Sequence, residues 1–513
     1  MNSAHLEELA QAFDLTEADI DEKAERLVRY VKLHADRWKS SGWIESEAET
    51  WRFLRCIARQ NHIDLPPKKS IEQTLNRLTD PRWWRGQLRK GFRAVERKEV
   101  ARGAVHSKAS AYVSTKAIRR RERDQRRLAE VIASLDLMNV TTGELVSLED
   151  IVAKSLANPA NRRMALMATV AGVDRYSKAK GHDAWLLTIT CPSRMHPRLR
   201  ATGAANGKFD GTDPRRAQAY LHGVWRKVMR KLSNQGIAAY GLRTVEPHHD
   251  ACPHWHVLLF VAPGQTEALL SIFRAYALAD SPNEDGAEEH RFKVVRIDPA
   301  LGSAVGYVAK YVSKALDGEG LDGDTESAGD GKSTAARVTT WARLWGIRQF
   351  QFFGLPPITP SRELHRVRNQ DLGISSLNEA REACKANDFA AYLSAVDKYD
   401  IKTCQFYQER PSSRYPNEFT KAIRGLLASA SDLPLTVSLT TRADTFCIQP
   451  KPKKNDNASP SAPWTRFNNC ATPDESTGYL IGANEKSEIP PDWYREASRR
   501  RPTTTAGPAF AAT

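Results

Sequence analysis

"EPHHDACPHWHVLLF", residues 246–260, places four of the chain's thirteen histidines within nine positions and then runs directly into an apolar stretch. His254 and His256 stand two apart where that stretch begins. On a pleated strand both imidazoles therefore project to one face, and Trp255 goes into the opposite layer. Two imidazoles on one face can share a metal ion, since neutral imidazole is the commonest metal ligand among side chains. A further donor must come from close by. "IAAYGLRTVE" (237–246) reads as the strand before the cluster, and a turn between the two would bring the Glu246 carboxylate beside His254. Register is not legible at this level, so His248, His249 and Asp250 compete with Glu246 as third ligand.

Working outward, the same texture extends in both directions. "AWLLTIT" (184–190) is a short β-branched apolar run closed by Pro192 and reads as a buried strand. "DPRRAQAYLHGVWRKVMRKLSNQG" reads as a helix with Asp213 as its cap, Pro214 at its first position and Gly236 at its stop. "TEALLSIFRAYALA" is a helix, "RFKVVRI" a strand, "GSAVGYVAKYVSKAL" a helix and "RQFQFFGLP" a strand. Strands alternating with helices make this middle third α+β. Residues 1–165 read as a helical, basic amino-terminal domain, 365–450 as a small helical region, and 451–513, rich in Pro, Ser and Thr, as a mostly disordered tail.

The chain has 513 residues, too many for one ordinary core, and a formal net charge of +15. Between Pro81 and Glu130 sixteen Lys or Arg face five Asp or Glu, the balance a polyanionic partner requires. Within it "PRWWRGQLRKGFR" interleaves Trp83 and Trp84 with cations, a pattern suited to stacking bases while tracking a phosphate backbone. Arg215, Arg216, Arg226 and Lys227 on the 213–235 helix are further candidates for a DNA-binding groove. Seven scattered cysteines without a CxxC pair suit a reducing cytosol and argue against a zinc finger. No apolar run reaches membrane-spanning length, and the acidic, amphipathic start "MNSAHLEELAQAFDL" does not resemble a secretory leader.

A second cluster lies about fifty residues after the histidines, in "GYVAKYVSK" (306–314). Tyr307 and Tyr311 are four apart, so both phenols sit on one helix face, one turn from each other, with Lys310 and Lys314 each three residues behind. Together "AWLLTIT", "HWH" and "YVAKYVSK" resemble the three motifs of the HUH endonucleases. More narrowly, "EPHHDACPHWHVLLF" and "GYVAKYVSKALDG" resemble the bacteriophage replication gene A proteins.

The resemblance implies a central antiparallel sheet of about five strands with flanking helices over 180–360. It also implies a strand-specific endonuclease that nicks a replication origin by tyrosine transesterification. Tyr307 and Tyr311 would be the nucleophiles, helped by Lys310 and Lys314, and His254, His256 and Glu246 would hold Mg²⁺ or Mn²⁺. The energy of the cut bond would be kept in a 5′-phosphotyrosine. No nucleotide cofactor would be needed, in keeping with the lack of a GxxxxGK[ST] loop. Implied partners are single-stranded or locally unwound origin DNA and the host helicase and replication machinery, in the cytoplasm of a bacterial host. A transposase or mobilisation relaxase of the same superfamily, and a non-catalytic metal-containing DNA-binding regulator, are the competing readings.

Overall fold

Two strands built almost wholly of buried residues form the spine of the molecule. The computed structural model describes residues 3–40, 47–298, 300, 302–321, 330–367, 371–412, 414–442 and 444–452. Within the central unit, numbered here by itself, the elements are β1 (Asp183–Thr190), α1 (Pro214–Asn234), β2 (Ala239–Pro247), β3 (Pro253–Val261), α2 (Thr266–Leu278), β4 (Phe292–Arg296), α3 (Ala304–Leu316), α4 (Gly331–Trp345) and β5 (Phe350–Phe353). The five strands pair in the order β4-β1-β3-β2-β5, every neighbour antiparallel. All nine residues of β2 and of β3 are buried, which is why "HVLLFV" is continuously apolar instead of alternating. Gly241 in β2 is needed for this pairing. Its φ is +155°, and a Cβ there would sit 2.0 Å from the Leu258 carbonyl oxygen.

Helices cover both faces of the sheet. On one side α1, α2 and α4 bury Leu221, Val228, Phe273, Trp341 and Trp345 against Trp255, Val257 and Leu259. On the other, Val308 and Val312 of α3 pack with Leu258 and Phe260 and with Val170 and Val173 of the Pro159–Ala179 helix. The odd and even residues of β3 thus feed two separate cores, and His254 and His256 fall on the α3 side. The middle of the chain is α+β around a five-stranded antiparallel sheet, as the resemblance implies.

Two stretches differ from the sequence reading. The amino-terminal part is not purely helical: Leu135–Asn139 and Leu145–Ser147 are strands, and the first also pairs with Phe446–Pro450 some three hundred residues later. A strand whose partner is that remote leaves little local signal. The 365–450 region is helical only to Tyr399. It continues as a long hairpin, Lys402–Pro411 with Phe419–Ser429, extended by Val437–Thr440. Most residues of the first hairpin strand are exposed or half-buried, so the alternation that marks a strand is diluted by polar residues. The hairpin's tip reaches the amino-terminal domain, where Arg77 forks onto Glu418 with contacts of 2.6 and 2.7 Å. The expected disordered tail lies outside the described residues from 453 onward, as does the 322–329 part of the Gly/Asp-rich loop.

Candidate metal centre and tyrosine helix

Register brings Glu246 beside the histidine pair. β2 and β3 pair Glu246 with His254 and Thr244 with His256; β1 and β3 pair Thr190 with His254 and Thr188 with His256. Glu246, His254 and His256 consequently meet on one face, and ligand atoms of the three lie within 4.8 Å of one another. The two Nε2 atoms are 3.0 Å apart. Adjacent donors on an octahedron with bonds of about 2.1 Å are separated by about 3.0 Å, so the pair has the spacing of two ligands of one hard divalent ion. Thr188 Oγ1 lies 3.0 Å from His256 Nδ1 and holds that edge of the ring, while the opposite nitrogen, Nε2, faces His254. Burial, reinforced by His248, His256 and Lys314, holds the His254 imidazole well below its ordinary pKa, so this ring stays neutral and able to ligate.

Among the competing third ligands, the structure commits Asp250 to a different partner. The His248 ring stacks on His254 with centroids 4.0 Å apart. The His249 carbonyl accepts the Tyr112 amide at 3.0 Å. Asp250 turns away to His196, whose Nδ1 is 3.0 Å from its carboxylate, and its other oxygen accepts the Cys252 amide at 3.1 Å. This turn is tight: His248 and Cys252 are joined by a 2.7 Å backbone bond, and Ala251 takes a left-handed φ of 72°. His196 buttresses the turn together with Asp250. No motif links residues 196 and 250, and only the packing of the 191–210 loop reveals their pairing.

The tyrosine helix α3 lies directly over this site. Ser303 caps it by accepting from Gly306, and Ala304, Val308, Val312 and Ala315 bury its inner stripe. The Tyr311 ring stacks on His256, with centroids 3.8 Å apart and planes 19° from parallel. Burial, then the Glu246 carboxylate, raises the pKa of its phenol above the ordinary value. Tyr307, one turn earlier, is half-buried and packs against the same core.

The lysines separate. Lys310 is exposed, whereas Lys314 is buried with its Nζ 3.6 Å from Glu246 and 4.8 Å from the Tyr112 ring centroid. Lys314 thus compensates a buried carboxylate, a role that sequence spacing did not suggest. Thr188 and Tyr112 were also missed. Each reaches the site through a contact between elements far apart in the chain.

The aromatic part of the basic segment is a correction. Trp84 is fully buried, its Nε1 donating to the Leu78 carbonyl at 2.8 Å, and Trp83 packs edge-on against it at 5.1 Å. Trp84 and Leu88, four apart and both buried, form the inner stripe of the Pro81–Lys90 helix, so Trp84 cannot stack on a base. Arg215, Arg216, Arg226 and Lys227 are exposed on α1. That helix packs on the Trp255 face, where Trp255 Nε1 donates to Gln218 at 2.9 Å, so the four cations lie across the sheet from the histidine pair.

A paired-imidazole and carboxylate group that could hold a metal ion thus lies beneath a helix bearing two tyrosines. The family model of the bacteriophage replication gene A protein matches residues 14–319, and the chain belongs to that family. It is 35% identical over 422 residues to the replication protein of Haemophilus phage HP1, covering 78% of this chain and 54% of that protein. It is 32% identical over 528 residues to the replication gene A protein of Escherichia phage 186, covering 96% of this chain and 75% of that one. A probable replication endonuclease from a prophage-like region of Shigella boydii is 31% identical over 462 residues, covering 83% of this chain and 57% of the relative. Against the HP1 and Shigella proteins the chain spans little more than half the relative's length. No solved structure matches.

Proposed function

We propose that this protein is an HUH-type replication initiator that nicks one strand of a phage origin and later rejoins the ends, acting in a bacterial cytoplasm alongside a host helicase. One observation carries the reading: Tyr311 is stacked on His256 within the Glu246–His254–His256 centre. Relatives named as replication gene A proteins and as a probable replication endonuclease support it.

A divalent cation, Mg²⁺ or Mn²⁺, held by Glu246, His254 and His256 would polarise the scissile phosphate and offset charge as it develops. The chain's own residues do the rest. Tyr311 or Tyr307 attacks phosphorus; the bond to the 3′ oxygen breaks as the bond from the phenol oxygen to phosphorus forms. The phenol gives up its proton and the departing 3′ oxygen takes one up, leaving a free 3′ hydroxyl and a 5′-phosphotyrosine. Rigid placement of Tyr311 by its packing on His256 supplies the orientation such an exchange depends on. The second tyrosine, one helical turn along, allows a second cut while the first end is still held, and the new 3′ hydroxyl then reseals the strand. Lys314, with its Nζ 3.6 Å from the Glu246 carboxylate, holds that side chain in place for its ligand role.

The test is a denaturing gel of the protein incubated with labelled single-stranded DNA from its own replicon and Mn²⁺. The wild type should form a covalent adduct, the single variants Tyr307→Phe and Tyr311→Phe should retain part of it, and the double variant none. An adduct of wild-type yield from the double variant removes the mechanism, and cleavage with no adduct at all would make water the nucleophile.

A further inference from the structure

The strongest block of positive charge lies outside this site, on the Thr115–Ala133 helix, TKAIRRRERDQRRLAEVIA. Ala117 is its one fully buried residue, so almost its whole length is open to solvent. Its seven cations are not equivalent. Arg120 lies over the Phe92 ring at 3.5 Å, and Arg127 faces Glu17 and Asp21 at 3.8 and 3.6 Å. Arg121 is half-buried, and burial followed by the nearby Arg343 lowers its pKa to about 10. Lys116 pairs with Asp14. Arg119, Arg123 and Arg126 are exposed and have no salt bridge among the described residues.

These three fall on one stripe with Lys116, at steps of three and four, and line a shallow concavity with Thr115 and Glu122. At about 1.5 Å per residue, the stripe from 116 to 126 is about 15 Å long. Successive phosphates of one strand are separated along the winding backbone by more than the about 3.4 Å axial rise, so the stripe is long enough to follow a few of them in succession.

The stripe is also anchored at the nicking site. Three residues before the helix begins, Tyr112 donates its amide to the His249 carbonyl and places its ring beside Lys314. Tyr112 holds a left-handed φ of 71° while fully buried, and Ser114 caps the helix by accepting from the Ala117 amide. Ser114 itself donates to Glu96, whose carboxylate accepts its amide at 2.7 Å. The helix therefore starts at the end of the sheet that carries the histidine turn, held by a fixed connection.

We infer that the Lys116–Arg119–Arg123–Arg126 stripe is a docking track for the phosphate backbone of duplex DNA next to the cleaved strand. Duplex fits better than single strand because the exposed residues of this helix include no aromatic ring on which bases could stack, while Trp84 is committed to the core and Trp83 is half-buried against it. A stripe whose cations are guanidinium and ammonium groups contacts phosphates, and phosphate contacts position the protein without reading sequence. The inference deepens the proposed function by naming where flanking duplex is held.

The test measures binding separately from chemistry. Anisotropy of a labelled 30-base-pair duplex of arbitrary sequence, and of one of its strands alone, is followed from 50 to 200 mM NaCl for wild type and for R119A/R123A/R126A. Three lost phosphate contacts should flatten the slope of log K against log salt by about 2.7 for duplex, so the wild type should lose about 40-fold more affinity than the variant across that range. R119K/R123K/R126K should restore the slope. Should the alanine variant fold poorly by circular dichroism, R119Q/R123Q/R126Q makes the same comparison. An unchanged duplex slope overturns the track, and a loss confined to the single strand overturns the duplex assignment. Adduct formation on a short oligonucleotide should persist in the variant. A missing adduct in the wild type would defeat the nicking reading while leaving the track intact.

Discussion

Asp250→Asn offers a measurable handle on the turn that carries the histidines. Asn is isosteric and can keep the bond to the Cys252 amide, so what it removes is the charge facing His196. Burial opposes the His196 charge, but Asp250 outweighs it and lifts the imidazole to about 9 from an ordinary 6.5. The Asp250 carboxyl, despite burial, is drawn down to about 2 from 3.8 by the same His196, with help from His248 and His249. These are two views of one interaction. At about 1.4 kcal/mol per pH unit they put it at about 2.5 to 3.5 kcal/mol, counted once.

The sign follows from linkage. The raised His196 contributes in full below 6.5 and its share is lost as pH rises through about 9; the depressed Asp250 contributes in full above 3.8 and is lost as pH falls through about 2. Urea unfolding of wild type and Asp250→Asn, compared at pH 5.5 and pH 10, should therefore show a gap of about 2.5 to 3.5 kcal/mol at the lower pH, most of it gone at the higher. A gap that is the same at both values, or absent at pH 5.5, would refute the ion pair as the source of the turn's rigidity. The His248 ring packs against His196 at 5.1 Å and stacks on His254, so the variant should also weaken Mn²⁺ binding.

Three other outcomes follow from packing and ligation. Wild type in Mn²⁺ at a hundred times its dissociation constant should gain about 2.7 kcal/mol of stability, and His254→Ala with His256→Ala should show no such gain in a thermal shift assay. Gly241→Ala should lower the melting temperature sharply, because its Cβ would meet the Leu258 carbonyl at 2.0 Å inside the central strand pair; a melt like that of wild type would mean β2 and β3 can separate without cost. Trp84→Ala should cost about 3 to 5 kcal/mol in chemical unfolding yet leave duplex affinity unchanged while folded. A selective loss of DNA binding would restore the stacking role that its burial denies.

The sequence by itself determined the two chemical clusters and the elements that bear them. Spacing two on a strand puts His254 and His256 on one face, and spacing four on a helix does the same for Tyr307 and Tyr311, because those periods are properties of the backbone alone. Caps were legible for the same reason: Asp213 and Pro214 open α1 where their local chemistry says they should. Contacts between distant segments were not. Strand register set Glu246 opposite His254, and a register set by cross-strand pairing cannot be computed from one strand's residues. Tertiary packing likewise paired Lys314 with Glu246, laid Tyr311 on His256 and turned Trp84 inward. A side chain's type states what it can do; what it faces across the chain decides which of those things it does.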